Sequence, residues 1–87
     1  MIVVVEQKHI LEGSKGHCRS CPIALAIKDK LGDDFVKKEW AVLDSHVEFT
    51  GENGERIEKK LPKIAQYFIR TFDHYPGREL QPFRFRL

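Results

Sequence analysis

The stretch Leu61-Pro62-Lys63-Ile64-Ala65-Gln66-Tyr67-Phe68-Ile69-Arg70-Thr71-Phe72-Asp73 carries the clearest periodicity of the chain. Ile64, Ala65, Phe68, Ile69 and Phe72 recur at helical spacing, while Lys63, Gln66, Arg70 and Asp73 fall opposite them. Pro62 suits the start of a helix, where its missing N–H costs nothing, and Pro76-Gly77 supplies a stop. Such a stripe must be buried against a second layer, and the flanking segments read as strands. Upstream, Val47 and Phe49 alternate with Glu48, Gly51-Glu52-Asn53-Gly54 is a turn, and residues 56–60 form a short strand. Downstream, Phe83, Phe85 and Leu87 alternate with Arg84 and Arg86, the pattern of a half-buried strand running to the last residue.

In the N-terminal half, residues 1–6 are β-branched and read as a strand that continues toward Leu11, followed by a Gly/Ser loop over 12–16. Pro22 opens a helix that runs to about Leu31 and stops at Gly32. Ile23, Ala24, Ile27 and Leu31 share its apolar face, and Leu25 lies off it. Residues 35–43 read as a strand with Val36, Trp40 and Val42 on one face and Lys37 and Glu39 on the other. The expected order is β-α-β-β-(β)-α-β. This is an α+β fold, a small antiparallel or mixed sheet carrying two helices in a single domain, 1–87. Its expected core is Val3, Val5, Ile23, Ile27, Trp40, Phe49, Ile64, Phe68, Phe72, Phe83 and Phe85.

The chain has 87 residues, enough for one domain with a thin core. A partner chain would relieve that thinness, so a homo-dimer or higher oligomer is expected. No apolar run approaches the roughly 18 residues of a membrane span, which leads us to expect no membrane and a cytoplasmic location. The net charge of +2 is small for a general nucleic-acid binder, so nucleic acid is not favoured as a partner. The charge is nevertheless uneven. Residues 14–19 hold Lys15, His17 and Arg19 with no acid, and residues 78–87 hold Arg78, Arg84 and Arg86 against Glu79.

His17-Cys18-Arg19-Ser20-Cys21-Pro22 is the one dense chemical motif, and it stands at the start of a helix. A Cys-x-x-Cys there could be a redox dithiol whose first thiol is activated by the helix terminus. The hairpins that follow are not the parallel βαβ unit of a thioredoxin-like domain. Zinc would need four ligands; Cys18 and Cys21 give two, and His9, His46 and His74 are scattered singly. An anion could sit on the free N–H groups of the helix start with Lys15, His17, Arg19 and Ser20 around it, although Pro22 removes one donor. The plainest reading is structural, with Cys21 as a small buried group. Replacing both cysteines by serine is then expected to cost about 1–3 kcal/mol, chiefly through Cys21.

Arg84 and Arg86 share a face of the last strand, which is either a plain solvated outer face or a pair of forks that clamp phosphate or carboxylate in bidentate fashion. Tyr67 borders the polar face of its helix, and His74 suits a helix C-terminus. No Ser-His-Asp set, carboxylate pair or nucleophile elbow is present, so no catalytic residue and no cofactor are expected.

The run His17-Cys18-Arg19-Ser20-Cys21-Pro22-Ile23-Ala24-Leu25-Ala26-Ile27, with Leu61-Pro62, Phe68-Ile69-Arg70-Thr71-Phe72-Asp73 and Pro82-Phe83-Arg84-Phe85, resembles small proteins encoded by bacteriophages and prophages. The resemblance covers most of the chain. It implies a phage origin, and with it the host cytoplasm, rather than an activity, and carries over no catalytic residue; analogy with other small non-enzymatic phage proteins points to a counter-defence binding role. The function expected on that basis is a sponge that sequesters a nucleotide-derived immune signal. Lys15, His17, Arg19, Ser20, Arg84 and Arg86 are its candidate ligands. An inhibitor of a host defence nuclease is the alternative, and a thiol-redox or zinc-binding domain the second.

Overall fold

A proline at one end and a glycine at the other define the helix expected after the Cys-x-x-Cys. In a computed structural model, which describes residues 1–75 and 77–87, this helix spans Pro22–Leu31 and stops at Gly32, whose φ of 61° suits glycine. In chain order the elements are β1 (Ile2–Val5), α1 (Gln7–Glu12), α2 (Pro22–Leu31), α3 (Asp33–Lys37), β2 (Ala41–Val42), β3 (His46–Thr50), β4 (Arg56–Lys60), α4 (Lys63–His74) and β5 (Phe83–Arg86). The fold is α+β, with two antiparallel sheets: β1 with β5, and β2-β3-β4.

The alternation in the last strand has its expected consequence. Val3 opposes Phe85 and Val5 opposes Phe83, and these four face the core. Ile2, Val4, Arg84 and Arg86 lie on the outer face. In α4, Ala65, Phe68 and Ile69 are buried and Phe72 packs at the core margin. Phe68 lies 4.9 Å from Phe83 and 6.1 Å from Phe72, ring centroid to ring centroid. Trp40 stacks on Phe49 at 4.2 Å, and its buried indole N–H has no hydrogen-bond partner among the described residues.

Three readings are corrected. Residues 7–12 do not extend the first strand but form α1. His9, buried at 3 % exposure, accepts a hydrogen bond at Nδ1 from the backbone N–H of Glu6. Its Nε2–H therefore faces Asp29 Oδ2 of α2, 2.7 Å away, and ties α1 to α2. Residues 35–43 are not a continuous strand. Asp33 and Asp34 favour a helix start through the dipole, α3 follows, and only Ala41–Val42 is extended. Glu39, at φ 51°, turns the chain between them. Phe35 takes the buried place, and Val36 faces solvent. Ile64 is also exposed. It lies in the first turn of α4, roughly 80° off the centre of the stripe set by Ala65, Phe68 and Phe72. Helix α4 ends at His74; Pro76, half of the expected Pro76-Gly77 stop, lies outside the described residues.

The His9 contact makes a pH prediction. The hydrogen bond from His9, with Lys8 nearby, holds the Asp29 carboxyl below the usual carboxylate range. A carboxyl depressed in the folded state contributes stability that is complete above its unfolded pKa of about 3.9. That contribution is lost as the pH falls through the folded value. Asp29→Asn is therefore expected to lower the melting temperature at pH 7. The gap from the parent protein should narrow as the pH falls below the ordinary carboxylate range, in a series of melting curves taken at decreasing pH.

Candidate functional site

The loop between α1 and α2 is held from several sides. Gly13 passes so close to Pro22 that an added Cβ would lie 2.5 Å from the proline ring, which requires glycine on steric grounds. The Ser14 N–H donates to the Ser20 carbonyl, and the Ser20 and Cys21 N–H groups both donate to the His17 carbonyl. The Val42 N–H donates to the Cys18 carbonyl, which ties the loop to β2.

Cys21 is the N-cap of α2. Its Sγ accepts from the Ala24 N–H at 3.4 Å, and burial pushes the thiol above its ordinary value. Cys18 is exposed, and both thiols are free. The cap also changes the expected cost of substitution. A serine hydroxyl at an N-cap is a better acceptor than sulfur and offsets part of the penalty for burying it. Cys21→Ser is therefore expected to cost no more than about 1 kcal/mol, whereas Cys21→Val, which loses the cap, should cost about 1–2 kcal/mol. Urea denaturation of the two variants gives the comparison.

The six expected ligand residues do not converge on one hollow. His17 lines a small cleft with Gly16, Cys18, Cys21 and Asp73. Asp73 reaches in from α4, and its Oδ1 accepts the Gly16 N–H at 3.1 Å. A carboxylate thus already stands beside the helix start that was expected to hold an anion, and the Ala24 N–H is occupied by sulfur. Arg19 is drawn the other way, its guanidinium 5.6 Å from the centre of the Phe35 ring. Ser20 is half-buried in the turn. Arg84 and Arg86 stand on the outer face of the β1–β5 ribbon beside Ile2.

Lys15 points elsewhere. It lines a cleft of about 330 Å³ with Gln7 and Ile10 of α1, Phe72 of α4, and Tyr75, Gly77, Arg78, Glu79, Leu80 and Gln81 of the connection to β5. Ile10, Phe72 and Leu80 form an apolar floor that joins the core. Tyr75 is 55 % exposed. Lys15 and Arg78 are in no ion pair among the described residues. Glu79 accepts from the Gln81 side chain at 3.3 Å. Arg78 and Tyr75 were not singled out as ligands from the sequence. The available signal was the pairing of a cation and an aromatic residue on either side of Pro76-Gly77.

No helix of the described residues is long and apolar enough to cross a membrane. Comparison of the chain with known protein families, with curated proteins and with solved structures finds no match.

Proposed function

We propose that the protein is a non-enzymatic binding protein for a small phosphate-bearing nucleotide, held in the Lys15–Arg78 cleft and sequestered unchanged. The observation that carries this reading is the cleft itself. Two cations without carboxylate partners among the described residues stand over an apolar floor, beside an exposed tyrosine. Its volume lies at the lower end of the range for small-ligand sites. Lys15 supplies a point charge and Arg78 a planar fork for phosphate oxygens, Tyr75 a stacking face for a base, and Gln7, Glu79 and Gln81 polar groups to orient it. The hollow over Ile2, Arg84, Phe85 and Arg86, about 390 Å³, is lined by residues of a single two-stranded ribbon, whereas the Lys15–Arg78 cleft draws on α1, α4 and the connection to β5. The phage resemblance fits a counter-defence sponge acting in the host cytoplasm.

Isothermal titration against a panel of mono-, di- and cyclic nucleotides tests the reading. A sponge binds at least one with a micromolar or lower Kd and releases it chemically intact on denaturation. Failure to bind any of them, or recovery of a hydrolysed product, would contradict it.

A second reading rests on the outer face of the β1–β5 ribbon. Ile2 and Val4 are 36 % and 49 % exposed there, next to Arg84 and Arg86. An apolar pair beside two arginines suits either a second copy of the chain or an acidic protein surface such as that of a host nuclease. Light scattering at micromolar protein, repeated with Val4→Glu, separates the two: a mass near twice 10.2 kDa that falls to the monomer in the variant assigns the face to self-association.

A further inference from the structure

The β3–β4 hairpin places three side chains on one face. Its register sets His46 opposite Lys60, Glu48 opposite Glu58, and Thr50 opposite Arg56. Two carboxylates directly opposed across antiparallel strands repel and weaken the pairing. Arg56 holds only Oε2 of Glu48, at 3.0 Å, and leaves Oε1 turned toward His46. His46 Nε2 lies 3.1 Å from Glu48 Oε1 and 3.8 Å from Glu58 Oε1. One ligating atom from each of the three residues falls within 4.8 Å of the other two. Lys60 is in no ion pair with Glu58 among the described residues.

From this juxtaposition we propose that His46, Glu48 and Glu58 form a binding site for a divalent transition-metal ion of the zinc type. One imidazole nitrogen and two carboxylate oxygens are a donor set that such ions accept. At metal–ligand distances of about 2.1 Å, neighbouring ligands stand about 3.0–3.4 Å apart in octahedral or tetrahedral geometry. The His46–Glu48 pair already has that separation. Glu58, whose side chain is 62 % exposed, stands 3.8 Å from His46 Nε2 and within 4.8 Å of the Glu48 ligand atom, so its carboxylate must swing inward to complete the set. The ring of His46 is oriented from behind, with Ser45 Oγ 3.2 Å from Nδ1, in the way outer-sphere groups fix metal-binding imidazoles. The ion would convert the opposed carboxylates from a repulsive pair into shared ligands, and its remaining positions would take water. This site is independent of the Lys15–Arg78 cleft and uses none of its residues.

The test is zinc titration of the full chain after chelator treatment, by competition with a chromophoric indicator, alongside Glu58→Gln and Cys18→Ala. Both variants alter exposed side chains, so the fold survives. One equivalent of zinc should bind with a micromolar Kd. Glu58→Gln should weaken it at least tenfold, and Cys18→Ala should leave it within threefold. Zinc binding no tighter than millimolar, or within threefold of the parent in Glu58→Gln, would overturn the proposal. So would loss of binding in Cys18→Ala, which would assign the ion to the cysteines.

Discussion

Phe68→Ala is expected to lower the unfolding free energy by about 3–5 kcal/mol, the range for removing a buried aromatic side chain. Phe68 is 5 % exposed, and its ring meets Phe83 of β5 and Phe72 one turn along α4. It joins the stripe of α4 to the ribbon that pairs the two ends of the chain. A domain of this length has only about 4–13 kcal/mol of stability in total, so the variant should be at or beyond the edge of folding at 37 °C. Its neighbour Tyr67 is 59 % exposed on the same helix. Tyr67→Ala should change stability by no more than about 0.5 kcal/mol. Chemical denaturation of the pair followed by far-UV circular dichroism distinguishes the buried position from the exposed one.

The second large effect concerns ligand capture. A hydrogen bond between a charged group and phosphate contributes about 1.5–3 kcal/mol, or roughly 10- to 150-fold in affinity. Reversing both cations of the cleft, Lys15→Glu with Arg78→Glu, also places like charges against the phosphate. The double variant is expected to bind a nucleotide at least about 100-fold more weakly. Both residues are exposed, so its thermal stability should stay close to that of the parent. Arg84→Glu with Arg86→Glu changes the net charge by the same amount on a different face, and should alter binding by less than about threefold once salt is near 0.15 M. Calorimetry of the two double variants at that ionic strength separates a local site from general attraction.

Much of the architecture was legible because local signals agreed. Pro22 and Gly32 bracket α2, the 46–50 and 56–60 strands flank a glycine turn, and Phe83 and Phe85 alternate with arginines. The errors arise where two readings share one pattern. The run 35–43 mixes β-branched and charged residues, and period alone does not reveal that Asp33 and Asp34 start a helical turn. The helix at 7–12 is short and owes its place to a tertiary contact, the buried His9 on Asp29, which no local pattern announces. Ile64 failed as a core residue because it stands roughly 80° from the centre of the α4 stripe, and the apolar pattern does not mark how wide a face of the helix is covered.

The candidate site was less legible for the same reason. Lys15, His17, Arg19 and Ser20 are neighbours in sequence, yet the turn at 17–21 sends Lys15 toward α1 and Arg19 toward Phe35. The partners of Lys15 come from the connection after α4, about sixty residues away. Asp73 beside Cys21 is a long-range approach of the same kind. The His46–Glu48–Glu58 group depends on hairpin register, which sets Glu48 against Glu58 only once the turn length is known.

The central claim is that an anionic nucleotide is held between α1 and the segment after α4. Titration of a uniformly ¹⁵N-labelled sample with the tightest nucleotide of the panel, followed by amide chemical shifts, tests it most directly. The account predicts saturable shifts confined to Gln7, Ile10, Lys15, Tyr75 and residues 77–81, with the 84–86 amides unmoved. Shifts centred on Ile2, Arg84 and Arg86, or on residues 17–21, would contradict it.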